Sequence, residues 1–157
     1  MSGLLLLNKP QGITSFGAVA IVKKLTGEKH VGHTGTLDPM ATGVLPVLIG
    51  RATALSQYLI DANKSYTATI KLGTVTDTCD ITGNIISVSD VSVSNSDINA
   101  VLSGFTGKQK QIPPMHSAIK QNGVRMYKLA RQGQTVQISE RNVEIFSLKA
   151  VSSINRE

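Results

Sequence analysis

Residues 30–49, HVGHTGTLDPMATGVLPVLI, join a loop rich in glycine and threonine to an apolar segment. In residues 30–43, three glycines, three threonines and two histidines surround one carboxylate, that of Asp38. The ring of Pro39 crowds the preceding residue out of the helical region, so we expect an extended or turn backbone at Asp38. The apolar segment Val44–Ile49 is expected to be buried. This stretch therefore predicts a constrained loop that leads directly into the core.

The residues before this stretch predict one strand and one helix. Gly3–Asn8 is a short apolar run that ends in the turn-forming residues 9–12 (KPQG), which is typical of a buried strand. Ser15 is expected to cap a helix that ends at Gly27. The apolar face of this helix is predicted to hold Ala18, Ile21, Val22 and Leu25.

The residues after this stretch predict a mixture of helices and strands. Helices are indicated by the spacing of Ala52, Leu55 and Leu59, and of Ile98, Val101, Leu102 and Phe105. Alternation from Tyr66 to Leu72 predicts a strand with one buried face, paired with residues 84–89. Asn122-Gly123 predicts a hairpin turn, and residues 135–139 and 143–150 predict further strands. Because no regular βαβ repeat is present, we predict an α+β fold with a mixed, mainly antiparallel sheet and flanking helices.

Length and composition indicate one globular domain. The chain has 157 residues, of which 41% are hydrophobic and 17% are charged. The apolar run Leu4–Leu7 is too short to span a membrane, and no basic segment precedes it as in a signal peptide. A single cysteine, Cys79, cannot form an internal disulfide and fits a reducing compartment, so we expect a cytoplasmic protein.

Positive charge is concentrated in one part of the sequence. The net charge is +6, and no Asp or Glu occurs between Ile98 and Ser139. That segment contains Lys108, Lys110, Lys120, Arg125, Lys128 and Arg131. Concentrated positive charge attracts polyanions, since each neutralised phosphate releases condensed counterions. A solvated lysine-rich face is the alternative interpretation.

Several common catalytic sites are excluded by their spacing. Residues 104–108 (GFTGK) suggest a phosphate-binding P-loop, but Leu102 stands where its first glycine is required and Gln109 where Ser or Thr is required. One cysteine and three scattered histidines lack zinc-ligand spacing, and we expect no metal site. No Gly-x-Ser-x-Gly motif nominates a serine nucleophile.

Asp38 is therefore the strongest candidate for chemistry. An isolated Asp-Pro step in a loop is commonly a turn element, and that alternative stays open. The nearby glycines, however, allow a ligand to approach the backbone closely, and the neighbouring side chains supply no compensating cation. An aspartate is ordinarily ionised at neutral pH and can act as a nucleophile or a base.

Residues 32–46, GHTGTLDPMATGVLP, closely resemble the catalytic motif of the bacterial TruB-type tRNA pseudouridine synthases. Other blocks resemble the same family, in the family's order, along the whole chain. They are residues 4–12 (its Lys-Pro motif, with Asn8 where Asp is often found), 64–66 (the strand with an active-site tyrosine), 72–83, 111–118 (with His116 where Tyr is common) and 127–133.

This resemblance implies that one uridine in the T-loop arm of tRNA, position 55 of tRNA, is isomerised to pseudouridine without a metal, nucleotide or organic cofactor. Asp38 matches the catalytic aspartate. Its route stays open: it attacks the base or the sugar covalently, or it removes a sugar proton. Because a base cannot turn inside a stacked loop, the enzyme must first extrude it into a pocket.

The resemblance also implies substrate-binding roles for residues near the base. Tyr66 matches the residue that stacks on the flipped base, where an aromatic face contributes roughly 1–3 kcal/mol; the alternative is a core tyrosine. His33 matches the residue that holds the base out of the disrupted T-loop, although a loop histidine is commonly an ordinary polar residue. Asp80 matches an acidic position near the site, with a turn role as the alternative. Lys64, together with Lys108, Lys110 and Arg131, is expected to bind the RNA backbone.

The later motif that carries the arginine partner of the catalytic aspartate does not occur in these 157 residues. We therefore expect residues 1–157 to be the N-terminal portion of the catalytic domain, without its later motifs and without the C-terminal RNA-binding domain that often follows, and with weak or no turnover in isolation. The alternative is a non-catalytic RNA-binding or tRNA chaperone module.

Overall fold

The computed structural model describes residues 1–113, 120–121, 124–125 and 139–152 of the chain. The chain divides into two compact units, residues 1–68 and 69–157. The first unit contains strand β1 (Gly3–Lys9), helix α1 (Ser15–Thr26), strands β2 (Val31–His33) and β3 (Gly43–Ile49), a 3₁₀ turn (Gly50–Leu55) and the short helix α2 (Ser56–Leu59).

The first unit is built on a three-stranded antiparallel sheet in which β3 lies between β1 and β2. Lys9 is opposite Gly43 in the β1–β3 pair, and His33 is opposite Val47 in the β2–β3 pair. The predicted strand at the start of the chain is present and extends one residue further, to Lys9. Its predicted burial is wrong for Leu4, Leu5 and Leu6, which are exposed, because only one face of the sheet is covered. This register makes residues 34–42, which contain Asp38, the connection between two neighbouring strands.

One face of the sheet packs on α1. The core consists of Ala18, Val19, Val22, Leu45, Val47 and Ile49, with the partly buried Leu7, Ile13, Val31 and Leu37 packed against it. The prediction that the segment after the loop is buried is confirmed for residues 45 and 47–49, whereas Val44 is exposed. Because Leu37 belongs to the 34–42 loop, the loop is tied to the core immediately before Asp38.

Helix α1 has caps at both ends, but its N-cap differs from the prediction. The Thr14 side chain, not that of Ser15, accepts the N–H of Gly17, and Gly27 ends the helix in a left-handed conformation. Ala18 and Val22 are buried as expected, whereas Ile21 and Leu25 are 52% and 80% exposed and Val19 takes their place. The buried stripe is therefore rotated around the helix toward Val19 relative to the predicted one.

The second predicted helix is present in a shorter form. Ala52 and Leu55 lie in the 3₁₀ turn, and only Ser56–Leu59 is α-helical. The two pieces follow β3 directly.

The second unit contains strands β4 (Thr74–Thr76) and β5 (Ile85–Val88), helix α3 (Asn95–Gly104), and strands β6 (Gly107–Gln111), β7 (Lys120–Gln121), β8 (Val124–Arg125) and β9 (Arg141–Ile145). β4 pairs with β5, β6 with β9 and β7 with β8, all antiparallel. The Ser94 side chain and the Asp97 side chain form a capping box at the start of the predicted third helix.

The predicted strand from Tyr66 to Leu72 is wrong. These residues have no strand pairing and are exposed. Their expected partner, residues 84–89, pairs through Ile85–Val88 with Thr74–Thr76 instead. Alternation of apolar and polar residues shows that a segment could bury one face as a strand. A strand also needs a neighbouring strand whose backbone N–H and C=O groups are free to pair with it.

The predicted α+β class with mainly antiparallel strands is confirmed, since every strand pair in the described part of the chain is antiparallel. The β7–β8 pair fits the predicted hairpin, whose turn at residues 122–123 lies outside the described residues, as does most of the predicted strand 135–139. Among the described residues, no helix has the length and apolar character needed to cross a membrane.

Candidate active site

Asp38 begins a β-turn at the tip of the 34–42 loop. The N–H of Ala41 donates to the carbonyl of Asp38 at 3.0 Å, and Pro39 occupies the second position of the turn. Asp at the first position and Pro at the second are the residues that such turns favour. The Asp38 side chain is exposed and has no hydrogen bond or ion pair within the described ranges. The turn therefore holds the backbone in place and leaves the carboxylate available.

Lys9 fixes the chain immediately after Asp38. Its side chain is fully buried, and its Nζ donates to the carbonyls of Pro10, Ile13 and Pro39 at 3.0, 2.9 and 3.3 Å. The N–H of Gly12 donates to the same Pro39 carbonyl at 2.8 Å. A buried ammonium must be satisfied by acceptors, and here three carbonyls from two loops converge on it.

Ser15 fixes the chain immediately before Asp38. Its Oγ donates to the carbonyl of Leu37 at 3.0 Å and accepts the N–H of the same residue at 2.9 Å. Ser15 is 2% exposed. Asp38 is therefore held between two anchored residues, Leu37 and Pro39.

Sequence reasoning missed both anchors. The turn signal at Lys9 and Pro10 hides the fact that Lys9 lies two residues after the partly buried Leu7, on the same side of the strand, which is a usable signal for burial. The helix cap expected at Ser15 is formed by Thr14 instead. No sequence pattern indicates that the Ser15 hydroxyl binds a loop 22 residues away.

His33 ends β2 and is half-buried. Its Nδ1 lies 2.5 Å from the carbonyl of Gly35. Since a carbonyl can only accept, Nδ1 carries the proton, and in the neutral ring Nε2 is left as an acceptor. His33 lines an open cavity of about 340 Å³ together with Lys29, His30, Val31, Gly32, Leu48, Thr53 and Ser56.

Lys64 and Tyr66 follow α2 in an irregular segment. Lys64 Nζ donates to the carbonyls of Ile60 and Ala62, both at 2.8 Å. A Cβ placed on Gly35 would lie 3.9 Å from Lys64 Cε, so the structure brings this lysine to the loop that carries Asp38. Tyr66 is 71% exposed, which contradicts its alternative interpretation as a core tyrosine.

Asp80 lies in the second unit, in the turn between β4 and β5. Its Oδ1 accepts the N–H and Oγ1–H of Thr82 and the Oγ1–H of Thr78, at 2.8, 2.6 and 2.8 Å. The hydrogen bonds from Thr82 and then Thr78 hold the pKa of Asp80 below its usual value, since they stabilise the ionised form. One oxygen of this candidate substrate-binding residue is thus used to form the turn.

Lys108 and Lys110 point to one side of β6, and both are exposed. Lys110 Nζ is 3.1 Å from Glu140 Oε2, and Lys108 is opposite Glu144 in the β6–β9 register. Strand pairing therefore brings two carboxylates to a segment that contains none in its own sequence. Arg131, the third predicted backbone contact, lies outside the described residues.

No group of three or more His, Cys, Asp or Glu side chains that could hold a metal ion is present in the part of the chain that the structure describes. The 34–42 loop thus presents the free carboxylate of Asp38, with His33 immediately before it in β2 and Lys64 beside Gly35.

Comparison with known proteins gives consistent matches. A family model described as TruB family pseudouridylate synthase (N terminal domain) matches residues 23–157. The tRNA pseudouridine synthase B of Clostridium novyi (strain NT) is 49% identical over 94% of this chain and 51% of its own length. That of Geotalea uraniireducens (strain Rf4) is 49% identical over 99% of this chain and 50% of its own length. The chain thus spans about half the length of these relatives.

Two further matches agree. A putative tRNA pseudouridine synthase B of Rickettsia prowazekii (strain Madrid E) is 49% identical over 92% of this chain and 84% of its own length. A chain in a crystal structure of a Cbf5-Nop10-Gar1 complex has a similar fold, with a TM-score of 0.57 and 28% identity over 90% of this chain and 33% of that one. The resemblance found in the sequence is confirmed: the chain belongs to the TruB family of pseudouridylate synthases.

Proposed function

We propose that the protein isomerises the T-loop uridine of tRNA to pseudouridine, with Asp38 as the catalytic carboxylate. The observation that carries this proposal is the geometry of the 34–42 loop in a member of this family. Asp38 is exposed and unpaired among the described residues, while Leu37 and Pro39 on either side of it are held by Ser15, Lys9 and Gly12. A carboxylate that is free, on a backbone that is held in place, is suited to contact a base that is extruded from the bound RNA.

The reaction exchanges one glycosidic bond for another. The N1–C1′ bond of the uridine breaks, the uracil turns, the C5–C1′ bond forms, C5 loses its proton to solvent and N1 gains one. Because all other atoms are conserved, no oxidant, reductant or co-substrate is consumed. The base must leave the stack before it can turn, and the exposed face of Tyr66 supports a stacking role for the extruded base.

The T-arm of tRNA is the proposed partner. Lys64 beside the Asp38 loop, and Lys108, Lys110 and Arg131 in the second unit, would neutralise backbone phosphates. His33, at the base of the loop, would lie against the T-loop with Nε2 free to accept. Asp80 would take part in substrate binding through Oδ2, since its Oδ1 is used within its turn.

We further propose that residues 1–157 are the N-terminal portion of the catalytic domain of a cytoplasmic enzyme. The match to an N-terminal domain family and the coverage of about half of two relatives support this extent. The complete protein is then needed for full turnover, and the 157 residues alone are expected to show little or none.

The test is release of tritium from tRNA labelled at uridine C5, since this isomerisation displaces that hydrogen. In the complete protein, Asp38→Asn should reduce release to the level without enzyme. Asp61→Asn, which neutralises another exposed carboxylate of the first unit, should release tritium as the wild type does. Wild-type protein that binds tRNA but releases no tritium would instead support a non-catalytic RNA-binding or chaperone role.

The RNA interface is tested separately by the salt dependence of tRNA binding. Replacing both Lys108 and Lys110 by Gln should lower affinity and reduce the log–log slope by about one for each phosphate that is no longer neutralised. Because Glu140 neutralises Lys110 in part, Lys108→Gln should have the larger single effect. Unchanged slopes in both single variants would remove these lysines from the RNA interface.

A further inference from the structure

The two peptide units that flank the Leu37 Cα, just before Asp38, are held by one side chain. Leu37 uses both its N–H and its carbonyl to bind Ser15 Oγ, at 2.9 and 3.0 Å. A serine hydroxyl has one proton to donate and lone pairs to accept, so a single atom satisfies both backbone groups. The Asp38 Cα follows the Leu37 carbonyl directly, so its position depends on this pair of bonds.

Ser15 itself is fixed by the helix to which it belongs. It lies in the first turn of α1, is 2% exposed, and is followed on the same face by the core residues Ala18, Val19 and Val22. Leu37 packs against this same core. The hydroxyl thus connects the buried core of the first unit to the loop that carries the carboxylate.

We propose that Ser15 is a positioning residue for the reaction proposed above, on which this inference rests. Its hydroxyl fixes the backbone before Asp38, while Lys9 and Gly12 fix the carbonyl of Pro39 after it. With both sides held, the free carboxylate rotates only about its own side-chain bonds. It then meets the extruded base from one direction.

Removal of the hydroxyl leaves two backbone groups of Leu37 without their partner. The apolar packing of Leu37 against the core keeps the loop near its place, but the peptide is free to rotate. Misplacement of a reacting group by about 1 Å can cost on the order of a hundredfold in rate. Since the RNA is bound by other residues, the loss falls on kcat and leaves KM nearly unchanged.

The experiment compares Ser15→Ala with Thr26→Val in the complete protein. Thr26 lies on the same helix, and its hydroxyl donates to the carbonyl of Val22 at 2.8 Å, so its loss removes a comparable hydrogen bond far from the loop. We expect Ser15→Ala to lower kcat for tritium release by about 10- to 100-fold with little change in KM. Thr26→Val should lose similar stability and retain kcat.

A second measurement tests the hydrogen bond between Ser15 and Leu37 without requiring turnover. Hydrogen exchange of the Leu37 amide should become faster in Ser15→Ala and stay unchanged in Thr26→Val, because only the first variant removes the acceptor of that N–H. If Ser15→Ala does not fold, Ser15→Cys keeps the shape with a weaker donor and acceptor, and should show a smaller loss of the same kind.

The outcomes separate this inference from the proposed function. Wild-type protein without turnover refutes the function and the positioning role together. An active wild type with equal kcat in Ser15→Ala and Thr26→Val refutes the positioning role alone. Unchanged exchange at Leu37 in the serine variants also refutes it, since the hydroxyl would then not hold the peptide.

Discussion

Replacement of the buried lysine at the end of β1 should destabilise the first unit strongly. Lys9→Met keeps the length and the apolar stem of the side chain but removes the ammonium. The three carbonyls of Pro10, Ile13 and Pro39 then lose a donor that now lies at 2.9–3.3 Å from them. The side chain is fully buried, so water cannot replace that donor without opening the loop.

The expected magnitude follows from these bonds. A hydrogen bond to a charged group contributes about 1.5–3 kcal/mol, and the carbonyl of Pro39 keeps the N–H of Gly12 when the Lys9 ammonium is removed. Loss of the hydrogen bonds to the carbonyls of Pro10 and Ile13 therefore costs about 3–6 kcal/mol of stability. This cost is offset in part because the variant no longer has to bury an ammonium group. We expect a net loss of about 2–4 kcal/mol in the free energy of unfolding, or roughly 5–15 °C in Tm.

The assay is thermal unfolding followed by circular dichroism, with Lys24→Met as the matched control. Lys24 is an exposed lysine in the last turn of α1, so the same substitution there should change stability by about 0.5 kcal/mol or less. Equal Tm values for the two variants would refute the reasoning, since the buried hydrogen bonds of Lys9 would then contribute nothing beyond the interactions of a surface lysine.

Three further substitutions test other parts of the structure. Thr82→Val should raise the pKa of Asp80, measured by NMR titration, because it removes the largest cause of the lowered value. In the wild type, the ionised Asp80 stabilises the folded state above the ordinary aspartate pKa, and this stabilisation is lost as the pH falls through the lowered pKa. Thr82→Val should therefore weaken the pH dependence of the free energy of unfolding, and an unchanged pH dependence would contradict the prediction. Gly83→Ala should lower Tm, since its Cβ would collide with Thr78 Oγ1 and lie 3.0 Å from the Thr78 nitrogen, at a cost of about 1–3 kcal/mol; an unchanged Tm would show that the turn relaxes freely. Thr14→Ala should cost about 1 kcal/mol in chemical denaturation by removing the N-cap of α1, and Thr14→Ser should restore it.

The elements of the first unit that depend on local pattern were predictable. A run of apolar residues at 44–49, the helical spacing after Ser15 and the glycine at position 27 each determine structure within a few neighbours. The strand expected at Tyr66–Leu72 failed, because pairing is decided by a distant segment that alternation does not identify.

The residues of the candidate site could be nominated from the sequence, but the hydrogen bonds that hold the 34–42 loop in place could not. Asp38 stands out by its surroundings and by family resemblance, while the buried hydrogen bonds of Lys9 and Ser15 depend on how β1 and α1 pack. The neighbours of the basic segment were not predictable for the same reason: Glu140, which pairs with Lys110, and Glu144, which is opposite Lys108, come from later in the chain. Sequence order locates charges along the chain, and strand pairing decides which of them neutralise one another.

The anchors of Asp38 all come from residues that precede it, at separations of only 22 and 30 positions for Ser15–Leu37 and Lys9–Pro39. Closing loops of this size costs little chain entropy, and interactions at short separation form early in folding. Once β3 has left the ribosome, every described partner that shapes the loop is already available. The turn at Asp38 can therefore take shape during synthesis, before the second unit exists.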